Sequence, residues 1–180
     1  MRIAVSGAHR TGKSTLLADL TDRLTGYQAV DEPYRLLEDD GQPFADPPSL
    51  DDVVEQLRRS IQVLQDDRAP DVLFDRCPVD LLAYALTHED GDAFDLDEWL
   101  PGVRSAVETL DLVVFVPIER PDRVRVLEEA DRRLRAAVHE QLESMLVDDS
   151  LGLGLEVLTV NGSTQARVAQ VLRRIGQGRP

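Results

Sequence analysis

The only lysine of this 180-residue chain is Lys13; lysine and arginine together number 20, so arginine fills the other 19 basic positions. Lys13 stands in the run "GAHRTGKST", where Gly7 to Ser14 fit G-x-x-x-x-G-K-[ST]. A short apolar run precedes it and a helical one follows, the context in which this spacing binds nucleotide phosphates. Gly7 and Gly12 permit the turns that let successive backbone N–H groups converge on phosphate oxygens. The first turn of the next helix adds its free donors and the positive end of its dipole. Lys13 supplies a compact charge on a flexible stem, able to reach between the β- and γ-phosphates. An arginine fork is planar and broader, a poor substitute in so small a nest. The Ser14 hydroxyl can ligate Mg2+. The expected nucleotide-binding residues are therefore Gly7, Ala8, His9, Arg10, Thr11, Gly12, Lys13, Ser14 and Thr15, with His9 read as a tolerated loop residue.

Two more charged groups stand at the ends of apolar runs: Asp31, Glu32 and Arg35 in "VDEPYR", and Asp75 and Arg76 in "LFDRCP". An apolar strand ending in aspartate suits a metal held directly or through water, so Ser14 and Asp75 are the candidate metal pair. A carboxylate facing the γ-phosphate can take the proton of an attacking hydroxyl. Glu32, Asp31 and Asp75 are the candidates for that role. Glu32, Arg35 and Arg76 are the residues expected to line an acceptor site. Taken alone, either group reads as a polar strand end with local ion pairs; the phosphate loop in the same chain is what gives them chemical meaning.

The elements that must hold these residues alternate. Strands are expected at 2–7, 27–33 (halted by Pro33), 71–75, 110–118 and 155–162. Helices are expected at 13–24, from Ser49 to about Asp67, at 78–86, through a long charged stretch of about 121–147, and from Ser163 or Thr164 to Gly176. Ser49 with Asp52 has capping-box spacing. The segment 96–110 reads as helical in parts, interrupted by Pro101-Gly102. Residues 41–48 and the acidic run 87–95 read as surface loops. Alternating strands and helices imply an α/β fold, a parallel sheet with helices on both faces, in one domain over 1–180.

Composition excludes several classes. A net charge of −14 and 4% aromatic residues argue against general nucleic-acid binding, which needs a basic face or stacking platforms. No apolar run reaches the ~18 residues of a membrane span. Cys77 is the sole cysteine and reads as a small packing residue; His9, His88 and His139 are too scattered for a zinc site. With no leader pattern, the expected location is the cytoplasm. The lone lysine leaves none for an Asn-Lys-x-Asp guanine motif, which removes Ras-like GTPases.

"GAHRTGKST", "DEPYR" and "FDRCPVDLLAYA" resemble the P-loop nucleoside-kinase-like proteins. That group includes deoxynucleoside kinases, thymidylate kinases, the ribosylnicotinamide kinase domain and small AAA-like ATP-binding proteins. The resemblance spans about residues 1–147. It implies a five-stranded sheet in the order 2-3-1-4-5, Glu32 as base, and an arginine-bearing lid at about 119–135. Arg123, Arg125, Arg132, Arg133 and Arg135 are lid candidates, with Arg125 the catalytic choice and Arg132 and Arg133 as nucleotide contacts. The plainer reading of any one of them is a solvated helix with i, i+4 pairs. The function implied is ATP- and Mg2+-dependent phosphoryl transfer to a hydroxyl of a small nucleoside-like or sugar-bearing molecule. No nucleic-acid or membrane partner is expected, and a homodimer is left open. The rival reading is a nucleotide-gated regulator that acts through a protein partner.

Overall fold

The computed structural model describes residues 1–66, 69–119, 122 and 128–177. Strands β1 (Arg2–Ser6), β2 (Gln28–Val30), β3 (Val72–Asp75), β4 (Leu112–Phe115) and β5 (Val157–Thr159) form one parallel sheet in the order β2-β3-β1-β4-β5. This is the expected class and order. Around it lie α1 (Lys13–Arg23), α2 (Pro33–Asp39), α3 (Leu50–Asp66), α4 (Pro78–Thr87), α5 (Leu96–Val107), α6 (Glu129–Leu146) and α7 (Thr164–Gln177).

The pleat divides the core in two. Ile3, Val5, Leu73, Leu112 and Val114 face α1 and α7, against Leu16, Leu20, Val168 and Val171. Ala4, Phe74, Val113 and Phe115 face α3 to α6, against Leu57, Leu82, Val103 and Leu142. Both faces of the central strands β1, β3 and β4 are buried, so these read as apolar runs, whereas the edge strands β2 and β5 are more exposed. Each fully buried leucine of α1 contributes about 1.5–3 kcal/mol. That burial fixes the helix whose first turn the phosphate loop feeds.

Two elements differ from expectation. Pro33 ends the extended run but also opens α2, because its missing N–H and fixed φ suit the first helical position. The α5 helix runs unbroken through Pro101. Asp95 caps it by accepting from the Asp97 and Glu98 N–H groups, and Val103, Ala106 and Val107 bury against the core. Those gains offset the roughly 3 kcal/mol that an interior proline costs. The Ser49–Asp52 cap forms reciprocally, Ser49 N–H donating to Asp52 Oδ2 at 2.8 Å and Asp52 N–H to Ser49 Oγ at 3.2 Å. The helix expected over 121–147 is described from Glu129; residues 120, 121 and 123–127 lie outside the described residues, and with them Arg123 and Arg125.

Candidate active site

Strand β1 delivers the chain directly into the phosphate loop. Gly7 has φ 149°, and a Cβ there would sit 2.5 Å from the Val116 carbonyl oxygen, so only glycine fits. Gly12, at φ 93°, is the N-cap of α1 and provides no side-chain cap; the first turn holds no acidic residue either. The leading N–H groups of α1 are thus left for an external anion.

Side chains from three helices grip this loop. Asp80 of α4 is fully buried, and its carboxylate accepts from Ser6 Oγ at 2.6 Å, the Gly7 N–H at 3.0 Å and the Cys77 N–H at 3.1 Å. Arg135 of α6 donates to the His9 carbonyl at 3.0 Å and pairs with Asp122. Arg167 of α7 donates to the Thr11 carbonyl at 2.8 Å and pairs with Glu119 at 3.0 Å. Tyr84 of α4 accepts the His9 N–H at 3.0 Å.

None of Asp80, Tyr84 and Arg167 is singled out by sequence reading, and Arg135 enters it only as a lid arginine. Asp80 does carry a local signal: Cys77 and Asp80 form a capping box around Pro78. Replacing Asp80 by alanine leaves two loop donors and one cap donor buried without an acceptor. Urea unfolding of Asp80→Ala should show a loss of about 3–5 kcal/mol, the range for breaking a buried charged network. A loss below about 1 kcal/mol would contradict this role.

Lys13 is buried, and its Nζ donates to the Ala8 carbonyl at 2.9 Å. Desolvation lowers its pKa from 10.5 to about 7, and Arg76 adds to the effect; Asp80, Asp75 and Glu32 oppose it. Between those two values the unfolded chain binds the extra proton, so this group makes stability rise with pH across that window. A polyphosphate bound beside Lys13 would favour its charged form. ATP binding near pH 8.5 should therefore take up a proton, seen by titration calorimetry in buffers of differing ionisation enthalpy, and Lys13→Ala should abolish that uptake.

Ser14 and Asp75, the residues expected to hold a metal, lie side by side. Ser14 Oγ donates to Asp75 Oδ2 at 3.5 Å, and Asp75 Oδ1 is buried without a hydrogen-bond partner among the described residues. Burial pushes the Asp75 carboxyl above its usual range, and Lys13 and Arg76 act against it. An orphaned carboxylate oxygen beside a hydroxyl fits Mg2+, which needs few protein donors because water and phosphate oxygens complete its shell. No group of three or more His, Cys, Asp or Glu suited to a metal occurs among the described residues.

Across from this pair, Arg76 joins the second strand end to the first. It adopts φ 76°, a left-handed conformation rare for arginine. Its Nε donates to Glu32 Oε2 at 3.1 Å and its Nη1 to the Gly7 carbonyl at 3.3 Å. A cavity of about 560 Å3 opens beside Glu32 and Arg76, walled by Tyr34, Leu81, Tyr84 and Leu134. Arg35 is not part of this lining: it is 66% exposed and reaches Glu32 from outside at 3.7 Å. Its place on the α2 surface corrects the expectation that it lines the acceptor site.

Of the lid arginines described, Arg133 lines the cavity, whereas Arg132 is exposed outside it. Arg10 turns outward to Asp131 at 3.3 Å and Thr15 is exposed, while Ala8 and Thr11 are buried. His9 differs most from its reading as a tolerated loop residue. Its ring is held between Tyr84 Oη (Nδ1 at 3.0 Å) and Asp131 Oδ1 (Nε2 at 2.6 Å).

The family model described as "AAA domain" matches residues 2–167. The chain belongs to this family. Solved structures with the same fold include deoxyadenosine kinase from M. mycoides, 13% identical over 99% of this chain and 100% of that one, with a TM-score of 0.70. Thymidylate kinase from Candida albicans is 15% identical over 97% and 90%, with a TM-score of 0.62. NadR protein in complex with NAD and AMP-PNP is 20% identical over 99% of this chain and 49% of that one, with a TM-score of 0.68. Comparison with curated proteins yields no match. Like this family member, those chains share the doubly wound sheet; at such identities the likeness concerns the fold. No helix among the described residues is long and apolar enough to cross a membrane.

Proposed function

We propose that this protein transfers the γ-phosphoryl group of ATP to a hydroxyl of a small nucleoside-like or sugar-bearing molecule held in the 560 Å3 cavity. The observation that carries the reading is an open cavity with Glu32 and Arg76 in its wall and Arg76 bonded to the phosphate loop. A switch protein has no need of that space and can fill it with its own side chains. The names of the structural neighbours, a deoxyadenosine kinase and a thymidylate kinase, support phosphoryl transfer as the reaction class.

In this reading the loop N–H groups and Lys13 bind the β- and γ-phosphates, and Ser14 and Asp75 hold Mg2+, which neutralises phosphate charge when bound. Glu32 accepts the proton of the acceptor hydroxyl as its oxygen bonds to the γ-phosphorus. The bond to the bridging oxygen breaks and ADP leaves. Arg76 orients Glu32 and keeps a positive charge beside the developing negative one. Glu32 is preferred to Asp31, which is exposed and does not line the cavity, and to Asp75, which faces Ser14. The segment 119–135 is assigned as the lid, with Arg125 as its catalytic arginine and Arg132 and Arg133 as nucleotide contacts; the position of Arg133 in the cavity wall supports its share of that role. The whole chain serves as one domain with the small acceptor as its partner.

A panel of nucleosides, nucleotides, other ribosides and aminosugars, scored by acceptor-dependent ADP release, tests this. At least one hydroxyl-bearing compound should raise the rate tenfold or more above the acceptor-free rate. Tight ATP binding with no stimulation by any of them would favour a nucleotide-gated regulator.

A further inference from the structure

His9, the third residue of the phosphate loop, is pinned at both backbone groups by side chains from two of the helices that wall the cavity. Its N–H donates to Tyr84 Oη of α4, and its carbonyl accepts from Arg135 Nε of α6, each at 3.0 Å. The imidazole repeats the pattern, with Tyr84 Oη at Nδ1 and Asp131, in the first turn of α6, at Nε2. Tyr84 Oη already accepts the backbone N–H, so its own proton is available to Nδ1. That leaves Nε2 as the protonated nitrogen facing the Asp131 carboxylate. Burial keeps the Tyr84 phenol protonated well past neutrality and lowers the pKa of His9, consistent with this neutral arrangement.

Tyr84 also touches the acceptor side. Its ring forms part of the cavity wall, and the Arg76 guanidinium lies over that ring at 5.2 Å. Arg76 in turn holds Glu32 at 3.1 Å. Two side chains in contact, Arg76 and Tyr84, therefore link the candidate base, along the cavity wall, to the backbone of the phosphate loop.

We propose that Tyr84 is a positioning residue that couples seating of the acceptor to the geometry of the phosphate loop. The proposal rests on the kinase reading above. A molecule that fills the cavity packs against the Tyr84 ring and Arg76 and restricts the two χ angles of the tyrosine. The hydroxyl then holds the His9 peptide in place, and Arg135 holds its other face. Because α4 and α6 both line the cavity and both grip His9, an acceptor lodged between them also limits their separation. Coupling of this kind is reciprocal: the acceptor tightens ATP binding by the factor by which ATP tightens the acceptor.

Tyr84→Phe keeps the ring and its contact with the Arg76 guanidinium and removes the hydroxyl with its bonds to His9 and Arg76. ATP affinity is measured with and without saturating deoxyadenosine or thymidine, alongside kcat and acceptor KM for whichever of the compound panel is turned over. In the wild type the acceptor should raise ATP affinity at least about fivefold, the lower end of ordinary coupling. In Tyr84→Phe the gain should fall below about twofold and kcat by about tenfold, with acceptor KM within about threefold because the wall is intact. Tyr84→Leu should raise acceptor KM as well. A purely structural tyrosine would lower the melting temperature without separating kcat from KM.

Hydrogen exchange at the His9 amide of the wild type gives a reading that does not depend on a variant folding. Adding acceptor alone should slow it at least about threefold, and an unchanged rate overturns the coupling. If the wild type shows acceptor-dependent ADP release and Tyr84→Phe matches it in kcat and coupling, Tyr84 is only a wall and the kinase reading stands. If no compound of the panel stimulates the wild type or alters its ATP affinity, both readings fall together.

Discussion

Lys13→Ala should lower ATP-dependent turnover by about 10²–10³-fold or more, the cost of removing a preorganised charge from a transition state that spreads charge over phosphoryl oxygens. The fold should survive. Lys13 is buried with its charge disfavoured by desolvation, so its removal relieves a cost as well as a contact. The carbonyl it leaves, that of Ala8, still accepts from Thr11 Oγ1 at 3.0 Å. Thermal melting without nucleotide should therefore change little, and the stabilisation of the wild type by ATP should vanish in the variant. A Lys13→Ala protein with wild-type turnover would remove the phosphate loop from the chemistry. Lys13→Arg should be nearly as inactive, because the guanidinium cannot occupy the pocket under Ala8 that the ammonium does.

Glu32→Gln should reduce transfer by at least tenfold and up to about 10⁴-fold, the span a positioned base commonly supplies. ATP affinity should stay within about threefold, since Glu32 lies on the cavity side of Arg76. The amide oxygen of glutamine can still accept from Arg76 Nε, so the strand end keeps its geometry while the proton acceptor is lost. Steady-state kinetics should show the fall in kcat with acceptor KM nearly unchanged. Normal transfer by this variant would turn attention to Asp75, whose pKa is raised by burial and whose Oδ1 has no hydrogen-bond partner among the described residues.

What could be read from the chain follows from how local each cause is. The phosphate loop is eight consecutive residues flanked by one strand and one helix, so its spacing alone carries its geometry. That Glu32, Asp75 and Arg76 gather near the loop was legible because parallel strands bring their C-terminal ends to one edge. Arg35 was misplaced because Pro33 starts a helix there, and the helix turns that side chain outward. Arg167 was hidden because its partner Thr11 stands 156 residues earlier, joined to it only by the docking of α7. His9 and Tyr84 lie 75 residues apart, and neither shows its role until α4 packs beside the loop. The continuity of α5 is a tertiary result too, since local propensity at Pro101-Gly102 points the other way.

In the proposed reaction the cavity beside Glu32 holds the hydroxyl that receives phosphate. The most direct test of this supplies ATP labelled at the γ-phosphorus, with Mg2+, to the wild type and each compound of the panel, and follows where the label goes. Label should appear in a new organic phosphate ester, formed in step with ADP and lost in both Lys13→Ala and Glu32→Gln. Label found only in inorganic phosphate, at a rate no compound alters, would contradict it.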